Sequence, residues 1–441
     1  MCRFRKLRLL IFSLTLILGC FSVACGSAET QQVLTGLEGT RAYSTDEMNI
    51  SSLKGYLGDY GYWHFTGLLS NNSSSNLTDL EILIEITDEA GTVLKKEVVS
   101  PMMAELVAGE STPFELWVYE ALPTLDHYTA QVISCQASES QRATVEIESV
   151  TRVVDRFNIT HLTGEVTNNG TQPVVIENLA AALYNEAGEL VTAAPAKVFM
   201  HYLEAGKSGP FRIELHAPAD LLASLGEYKF FANAVITNPA AIFDLAVNDF
   251  NSYIDIADSF HLFGLVSNNS DKLLNVELVA GIYDEAGNVL DAASMSLPVT
   301  TIAPGESIPL DFDNWGPMSH TTEGFDKAKE YSVDIDYAAT RPATSSMVTL
   351  TTQEDTNSYV TGQARFFGQV VNNTGNRLSG AVVIVILYER GSNHLLATGY
   401  TWILDEISKG KEVPYIINVD VPTGFDTTNM EYELIVRGKL P

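Results

Sequence analysis

The chain has 441 residues, 46% of them hydrophobic, and its 55 acidic and 26 basic residues give a formal net charge of −29. The charge argues against nucleic acid as a partner, because a phosphate backbone requires a cationic surface. It argues equally against docking of the folded part on anionic lipid. We interpret the acidity as the solvated surface of an exposed protein, and calcium bound across acidic loops is the alternative.

The first 25 residues have the pattern of a secretory signal peptide. A basic segment, residues 3–8, precedes an aliphatic run from Leu9 to Leu18 that is long enough to enter the translocon but short for a stable span. The end of this run resembles the lipobox of bacterial lipoproteins at Cys25 and also at Cys20. The resemblance implies that one of these cysteines is diacylated, and we favour Cys25. A plain cleaved signal and an uncleaved anchor are the alternatives.

One strand pattern occurs four times after a polar tether at residues 26–35. A glycine stands within an alternation of apolar and polar residues, and an Asn-Asn pair follows four and five positions later. The glycines, at steps of 97, 100 and 104 residues, are Gly67, Gly164, Gly264 and Gly368. We expect each glycine to face the core where a side chain would collide with a close neighbour, and the asparagines to bond their own backbone.

Each copy continues with a second strand, a tight acidic turn with glycine, a return strand and a closing strand, about seven strands in all. In the fourth copy residues 382–387 are apolar on both sides, which predicts a central strand covered on both faces. The fold class predicted is all-β, with four tandem immunoglobulin-like antiparallel β-sandwich domains after the lipoprotein signal peptide. The predicted boundaries of the sandwiches are 36–138, 142–238, 240–340 and 345–441. Leading strands are expected at residues 145–150 and 347–350, and one turn of helix at 220–225.

The turns resemble those of a bacterial extracytoplasmic domain family called FxLYD. The residues that carry the resemblance are Leu183-Tyr184-Asn185 with Gly188, Ile282-Tyr283-Asp284 with Gly287, and Leu387-Tyr388-Glu389 with Gly391. The family's Phe is replaced by Ala181, Ala280 and Val385, and the first copy has Ile86-Thr87-Asp88. The resemblance implies a surface or envelope-attached module that carries no catalytic residues.

Motifs of known chemistry are incomplete in this sequence. Gly206-Lys207-Ser208 resembles the end of a phosphate loop, but His201 stands where its leading glycine is required. The sequence has no His-Glu-x-x-His, Gly-x-Ser-x-Gly or Cys-x-x-Cys motif. We therefore predict no enzyme activity, no catalytic residue, no metal and no cofactor. A hydrolase site in one diverged copy is the remaining enzymatic hypothesis.

Histidine stands three residues before the strand glycine at His64, His161 and His261, and Arg365 takes that place in the fourth copy. This parity is opposite to that of the core residues, so we expect all four side chains to face solvent. Cys135 is the single cysteine within the copies, and we expect it to be a small buried hydrophobe.

Tryptophan supplies the candidate ligand contact. Trp315 stands in the loop Asp313-Asn314-Trp315-Gly316-Pro317, where an exposed ring can stack on a sugar. Trp117 and Trp402 fall in strands and are expected in the core or half-buried.

The sequence thus predicts a non-enzymatic multidomain binding or spacer protein, anchored in the cell membrane by its N-terminal lipid. It would face the cell surface or the periplasm, with an envelope protein or a polysaccharide as partner. A carbohydrate-binding array on the cell surface is the alternative function.

Overall fold

The computed structural model describes residues 47–58, 60–122, 125–139, 142–155, 157–313, 328–392, 394–422 and 424–441. Within these ranges nearly all regular structure is antiparallel β-strand, with one short α-helix and two 3₁₀ turns. No helix in these ranges is long and apolar enough to cross a membrane. The chain is therefore all-β, as predicted, and its small antiparallel sheets are consistent with tandem β-sandwich domains.

Repeats 1 and 2 occupy the first half of the described chain. Repeat 1 comprises β1 (Met48–Leu57), β2 (Trp63–Asn71), β3 (Asn76–Thr87), β4 (Val93–Val99), β5 (Ser111–Val118) and β6 (His127–Ser138). Repeat 2 comprises β7 (Arg142–Ala143), β8 (Glu146–Val154), β9 (Thr160–Thr167), β10 (Val174–Asn185), β11 (Leu190–Val198), β12 (Tyr202–Leu203), β13 (Ser208–Leu215), the helix α1 (Ala219–Ala223) and β14 (Leu225–Ile236). The helix lies where the sequence predicts one turn.

Repeats 3 and 4 follow the same plan. Repeat 3 comprises β15 (Leu245–Ile254), β16 (Phe260–Asn268), β17 (Leu274–Tyr283), β18 (Val289–Ser296), β19 (Ser307–Phe312) and β20 (Glu330–Thr340). Repeat 4 comprises the 3₁₀ turn Ala343–Ser345, β21 (Val348–Thr349), β22 (Thr351–Val360), β23 (Gln363–Val371), β24 (Gly380–Glu389), β25 (Leu395–Ile403), β26 (Glu412–Asp420), the 3₁₀ turn Thr427–Asn429 and β27 (Met430–Lys439). The leading strand predicted at 347–350 contains the short β21, and the longer strand β22 of the front sheet begins at Thr351.

Each repeat has a front sheet, built around the strand that carries the repeated glycine, and a back sheet, built around the following hairpin. The front sheets have the orders β1-β2-β5, β8-β9-β13, β15-β16-β19 and β22-β23-β26. The back sheets are β4-β3-β6, β11-β10-β14, β18-β17-β20 and β25-β24-β27, with β7 and β21 added at the edges of two of them. In repeat 2, β11 pairs with both β10 and β13 and so joins the two sheets. Each repeat has an apolar cluster between its sheets.

The repeated glycine faces this core, as predicted. A Cβ built on Gly67 would lie 2.6 Å from Cζ of Phe114, which is closer than two carbon atoms can approach. The front sheets share a second feature that the sequence does not reveal, a β-bulge in the first strand. Its residues with positive φ are Ser52, Ser149, Asp249 and Glu354.

The first asparagine of each Asn-Asn pair is fully buried and holds two loops together. Nδ2 of Asn71 donates to the carbonyls of Ser75 and Leu106, at 2.8 and 3.0 Å, and Oδ1 accepts from the backbone N–H of Ser73. Asn168, Asn268 and Asn372 make the equivalent bonds. The predicted bonding to the local backbone is confirmed. The added bond to a distant carbonyl explains why this amide is buried at little cost.

Candidate functional site

The residues selected from the sequence as functional lie outside the described ranges. Cys20 and Cys25 precede residue 47, and Trp315 falls between residues 313 and 328. The lipidation and ligand-contact roles of these three residues stay predictions. Cys135 is confirmed as a buried residue of the repeat 1 core, and burial raises the pKa of its thiol to about 11.

The prediction that the repeated histidines face solvent is wrong. His64, His161 and His261 are 2%, 3% and 5% exposed. They do point away from the core of their own repeat, as the strand parity requires. That outer face, however, packs on the back sheet of the next repeat, because β11 contacts β2 and β5, β18 contacts β9 and β13, and β25 contacts β16 and β19. We call these three contacts junctions 1, 2 and 3.

Junction 1 joins repeats 1 and 2 through a hydroxyl bond, and an aromatic pair within repeat 1 positions the hydroxyl. Tyr56 stacks on His64 with ring centroids 5.0 Å apart and 8° between the ring planes. Nδ1 of His64 lies 2.9 Å from Oε1 of Glu115, and the Tyr56 hydroxyl lies 2.7 Å from Oγ1 of Thr192 in the next repeat. Burial raises the pKa of Tyr56, so the phenol stays protonated. A separate apolar cluster that includes Met103 completes the junction.

Junction 2 is held by a buried ion pair. Nη1 of Arg212 donates to Oδ1 of Asp291 at 2.7 Å, and the Asp291 side chain is fully buried. The hydroxyl of Thr163 donates to the carbonyl of Val289 at 2.5 Å. Removing one partner of such a pair leaves an uncompensated charge, so it strongly constrains the relative position of repeats 2 and 3.

Junction 3 repeats the stacked pair of junction 1 and adds a second carboxylate. Tyr253 stacks on His261 at 4.5 Å, and its hydroxyl donates to the carbonyl of Asp420 in repeat 4 at 2.6 Å. Nδ1 of His261 lies 3.2 Å from Asp311, and Nε2 lies 3.5 Å from Asp255. Burial lowers the pKa of His261, but the hydrogen bond to Asp311 and the two carboxylate charges outweigh burial and raise it to about 9.

A cleft of about 440 Å³ opens between β5 of repeat 1 and strands β11 and β13 of repeat 2. We name it the Trp117 cleft. The side chains used in the argument below are Glu115, Trp117, Lys197, Arg212, Glu214 and His216. Trp117 is half-buried, as predicted. Trp402 lies in β25 and lines a second cleft beside junction 3, but at 37% exposure it is more open than predicted.

The acidic turns are explained by backbone hydrogen bonds. Oδ1 of Asp88 accepts from the N–H groups of Ala90 and Thr92, and Asp284 does the same in repeat 3. The hydrogen bond from Asn288 lowers the pKa of Asp284. In the described part of the chain, no three His, Cys, Asp or Glu side chains come together as metal ligands would.

No family model and no curated protein matches this chain. Among solved structures, the chain is similar to the native form of Escherichia coli alpha-2-macroglobulin, with 9% identity and a TM-score of 0.13. The match covers 90% of this chain and 27% of that one. The same protein activated by porcine elastase gives 9% identity and a TM-score of 0.12, covering 89% of this chain and 53% of that one. This chain therefore spans about a quarter to a half of the length of these weakly similar, β-rich multidomain chains.

Sequence reasoning missed the junctions, although two signals could have revealed them. Tyr56 precedes His64 by the same number of residues as Tyr253 precedes His261. In both repeats the tyrosine and the histidine lie opposite each other across a bulged hairpin. The two-sided apolar strand at residues 382–387 was correctly predicted as covered on both faces. Its cover is repeat 3, since Val382 and Ile384 join the apolar cluster of that repeat.

Proposed function

We propose that this protein is a non-enzymatic, lipid-anchored protein of the bacterial envelope whose four immunoglobulin-like sandwiches form a stiff spacer. The spacer holds a binding surface at a fixed distance from the membrane. The FxLYD resemblance, the signal peptide and the lipobox support the location in the envelope and the lipid anchor. The absence of a complete catalytic motif in the sequence supports the lack of enzyme activity.

One observation carries the proposal of stiffness: the junctions bury polar groups that are paired across repeats. Arg212 and Asp291 belong to different repeats, as do Tyr56 and Thr192. Leaving such groups buried without their partners costs about 1–3 kcal/mol each, and more where they are charged. Flexible linkage would repeatedly expose these groups and the apolar residues around them, so the packed arrangement is favoured.

The proposed lipid anchor is tested by replacing each candidate cysteine in the full chain. We expect Cys25→Ser to release the protein from the membrane fraction and to remove the lipid from its N-terminal peptide, as read by mass spectrometry. Cys20→Ser should leave both unchanged. Membrane retention and an unmodified N-terminal peptide in both variants would contradict lipidation and favour the uncleaved anchor.

Glycan binding is the second candidate function, and two further tryptophans support it besides Trp315, which lies outside the described residues. Trp117 and Trp402 each line a cleft beside a junction. Aromatic rings in clefts offer an apolar face to a sugar ring. A stiff spacer that displays such clefts would place several weak sites at fixed intervals, which raises overall affinity through effective concentration.

A further inference from the structure

The Trp117 cleft has the composition of a small-ligand site rather than of a packing gap. Its volume of about 440 Å³ lies within the range of about 300–1,000 Å³ that is usual for ligand pockets. Trp117 and a few apolar residues line it together with four charged side chains and His216, so the cleft joins an apolar face to polar groups that can orient a ligand. The cleft lies between two repeats, where binding sites are common.

Trp117 is held in a fixed orientation at the edge of this cleft. It alternates with Leu116 and Val118, which face the core, so its ring must project from the outer face of β5. The ring centroid lies 4.3 Å from that of His64 and 4.9 Å from that of His216, which meets it edge-on. A ring fixed by two imidazoles loses little conformational entropy when a ligand binds.

The charged groups around the ring have both signs. Glu115 and Glu214 can accept hydrogen bonds, while Lys197 and the guanidinium N–H groups of Arg212 that Asp291 does not occupy can donate them. Both cations lie over the ring of Phe199, at 4.7 and 5.3 Å from its centroid, which fixes their position. Glu115 is also anchored, through its bond with His64.

This arrangement selects among ligand classes. An anionic ligand would meet the two carboxylates and the net charge of −29, and a cationic ligand would meet Lys197. A ligand whose hydroxyl groups both donate and accept satisfies both sets of side chains. We propose that the Trp117 cleft binds a neutral pyranose unit of a polysaccharide, with the sugar ring on Trp117 and its hydroxyls on the acidic and basic side chains. The inference rests on the glycan-binding candidate above and assigns it to one site.

The test is native affinity electrophoresis of the full chain in detergent, with polysaccharides embedded in the gel. Neutral probes are dextran, laminarin, hydroxyethyl cellulose and xylan, and anionic probes are alginate and polygalacturonate. We expect at least one neutral probe to retard the protein and the anionic probes to leave its mobility unchanged. We expect Trp117→Ala to raise the dissociation constant roughly tenfold, because the stacking surface is lost.

Two further variants separate loss of the site from loss of the fold. Lys197→Met keeps an apolar stem over Phe199 and removes one donor, and we expect it to weaken binding severalfold without changing the unfolding temperature. Tyr337→Ala is the control, because it removes an exposed ring of β20 that lines neither cleft, and it should bind as the unaltered protein does.

Three outcomes would overturn the inference. Retardation by the anionic probes alone would contradict the neutral class, and unchanged binding by both Trp117→Ala and Lys197→Met would contradict the site. Lack of retardation by any probe would reject the site and the glycan-binding candidate together. The spacer proposal would be untouched by that result, because it is tested separately by the distance between repeats.

Discussion

The back sheets of repeats 1 and 4 have the same topology but opposite outer faces. On β3 of repeat 1 the outward positions include Glu81 and Glu85, and Lys96 of β4 forms an ion pair with Glu85. On β24 of repeat 4 the register-equivalent positions are Val382 and Ile386, and both are buried. The difference follows from what covers each face, because repeat 3 packs on the back sheet of the fourth sandwich whereas Glu81 of the first is exposed. A repeat array stays soluble when an uncovered outer face is polar.

The front sheets show the same contrast at the other end. The position held by buried histidines in repeats 1 to 3 is exposed Arg365 in repeat 4, and the neighbouring Phe367 is 40% exposed. Its register equivalent in repeat 3, Phe263, is buried against Ile386 and Leu395. The outer face of a repeat is therefore buried where another repeat packs on it, and more exposed where none of the described repeats does.

The largest effect on stability is expected when a charged side chain replaces an apolar one on a back sheet that another repeat covers. Ile386→Glu introduces a carboxylate at junction 3 among the apolar neighbours Phe263 and Leu395. We expect a loss of about 4–5 kcal/mol in the free energy of unfolding of repeat 4, because a charge is buried among apolar side chains. Urea unfolding followed by circular dichroism measures it. A loss comparable to that of a surface substitution would show that junction 3 is open in solution.

Removal of a buried charge at junction 2 comes next. Asp291→Ala leaves Arg212 without its partner and should cost about 3–4 kcal/mol. Lys95 occupies the register-equivalent position on the back sheet of repeat 1, where it pairs with Glu97 and Glu120. Lys95→Ala should lower stability only slightly, because ion pairs open to solvent contribute little. The comparison fails if the two substitutions have equal effects on the urea midpoint.

The repeat 3 side of junction 3 should lose stability as pH rises. The pKa of His261 is raised in the folded protein from 6.5 to about 9, so its contribution is complete below pH 6.5 and is lost as pH rises through 9. The expected loss is about 3 kcal/mol at pH 10 relative to pH 6. Urea titrations at both pH values measure it, and His261→Gln should remove most of this pH dependence. A protein that becomes more stable over this range would contradict the assigned charge pairing.

The smallest effect on stability is expected when an apolar side chain replaces a charged one on the exposed back sheet of repeat 1. Glu85→Ile extends an apolar surface that already includes exposed Val98, and it should change the unfolding free energy by less than about 0.5 kcal/mol. It should instead promote self-association, because the capping charge is lost. Size-exclusion chromatography with light scattering detects this, and Glu85→Gln is the control. A strictly monomeric Glu85→Ile protein would show that this charge has no capping role.

The sequence predicted the architecture within each repeat because strand alternation, turn glycines and repeated asparagines are local signals. Gly67 and Asn71 behave in the structure as their residue types imply. The junctions could not be predicted in this way, since alternation assigns a side chain to the core or to the outer face but does not say what covers the outer face. His64 and Arg365 have the same parity, and only their position in the array separates buried from exposed. The Trp117 cleft depends on the same long-range packing.

The central claim is that the four repeats form a stiff array, and it is tested most directly by the distance between repeats 2 and 3. Spin labels on the exposed turn residues Glu186 and Glu285 report this distance by pulsed electron resonance. We expect one narrow distance distribution that broadens when Asp291→Ala is introduced. A broad distribution in the unaltered protein, unchanged by that substitution, would contradict the stiff array.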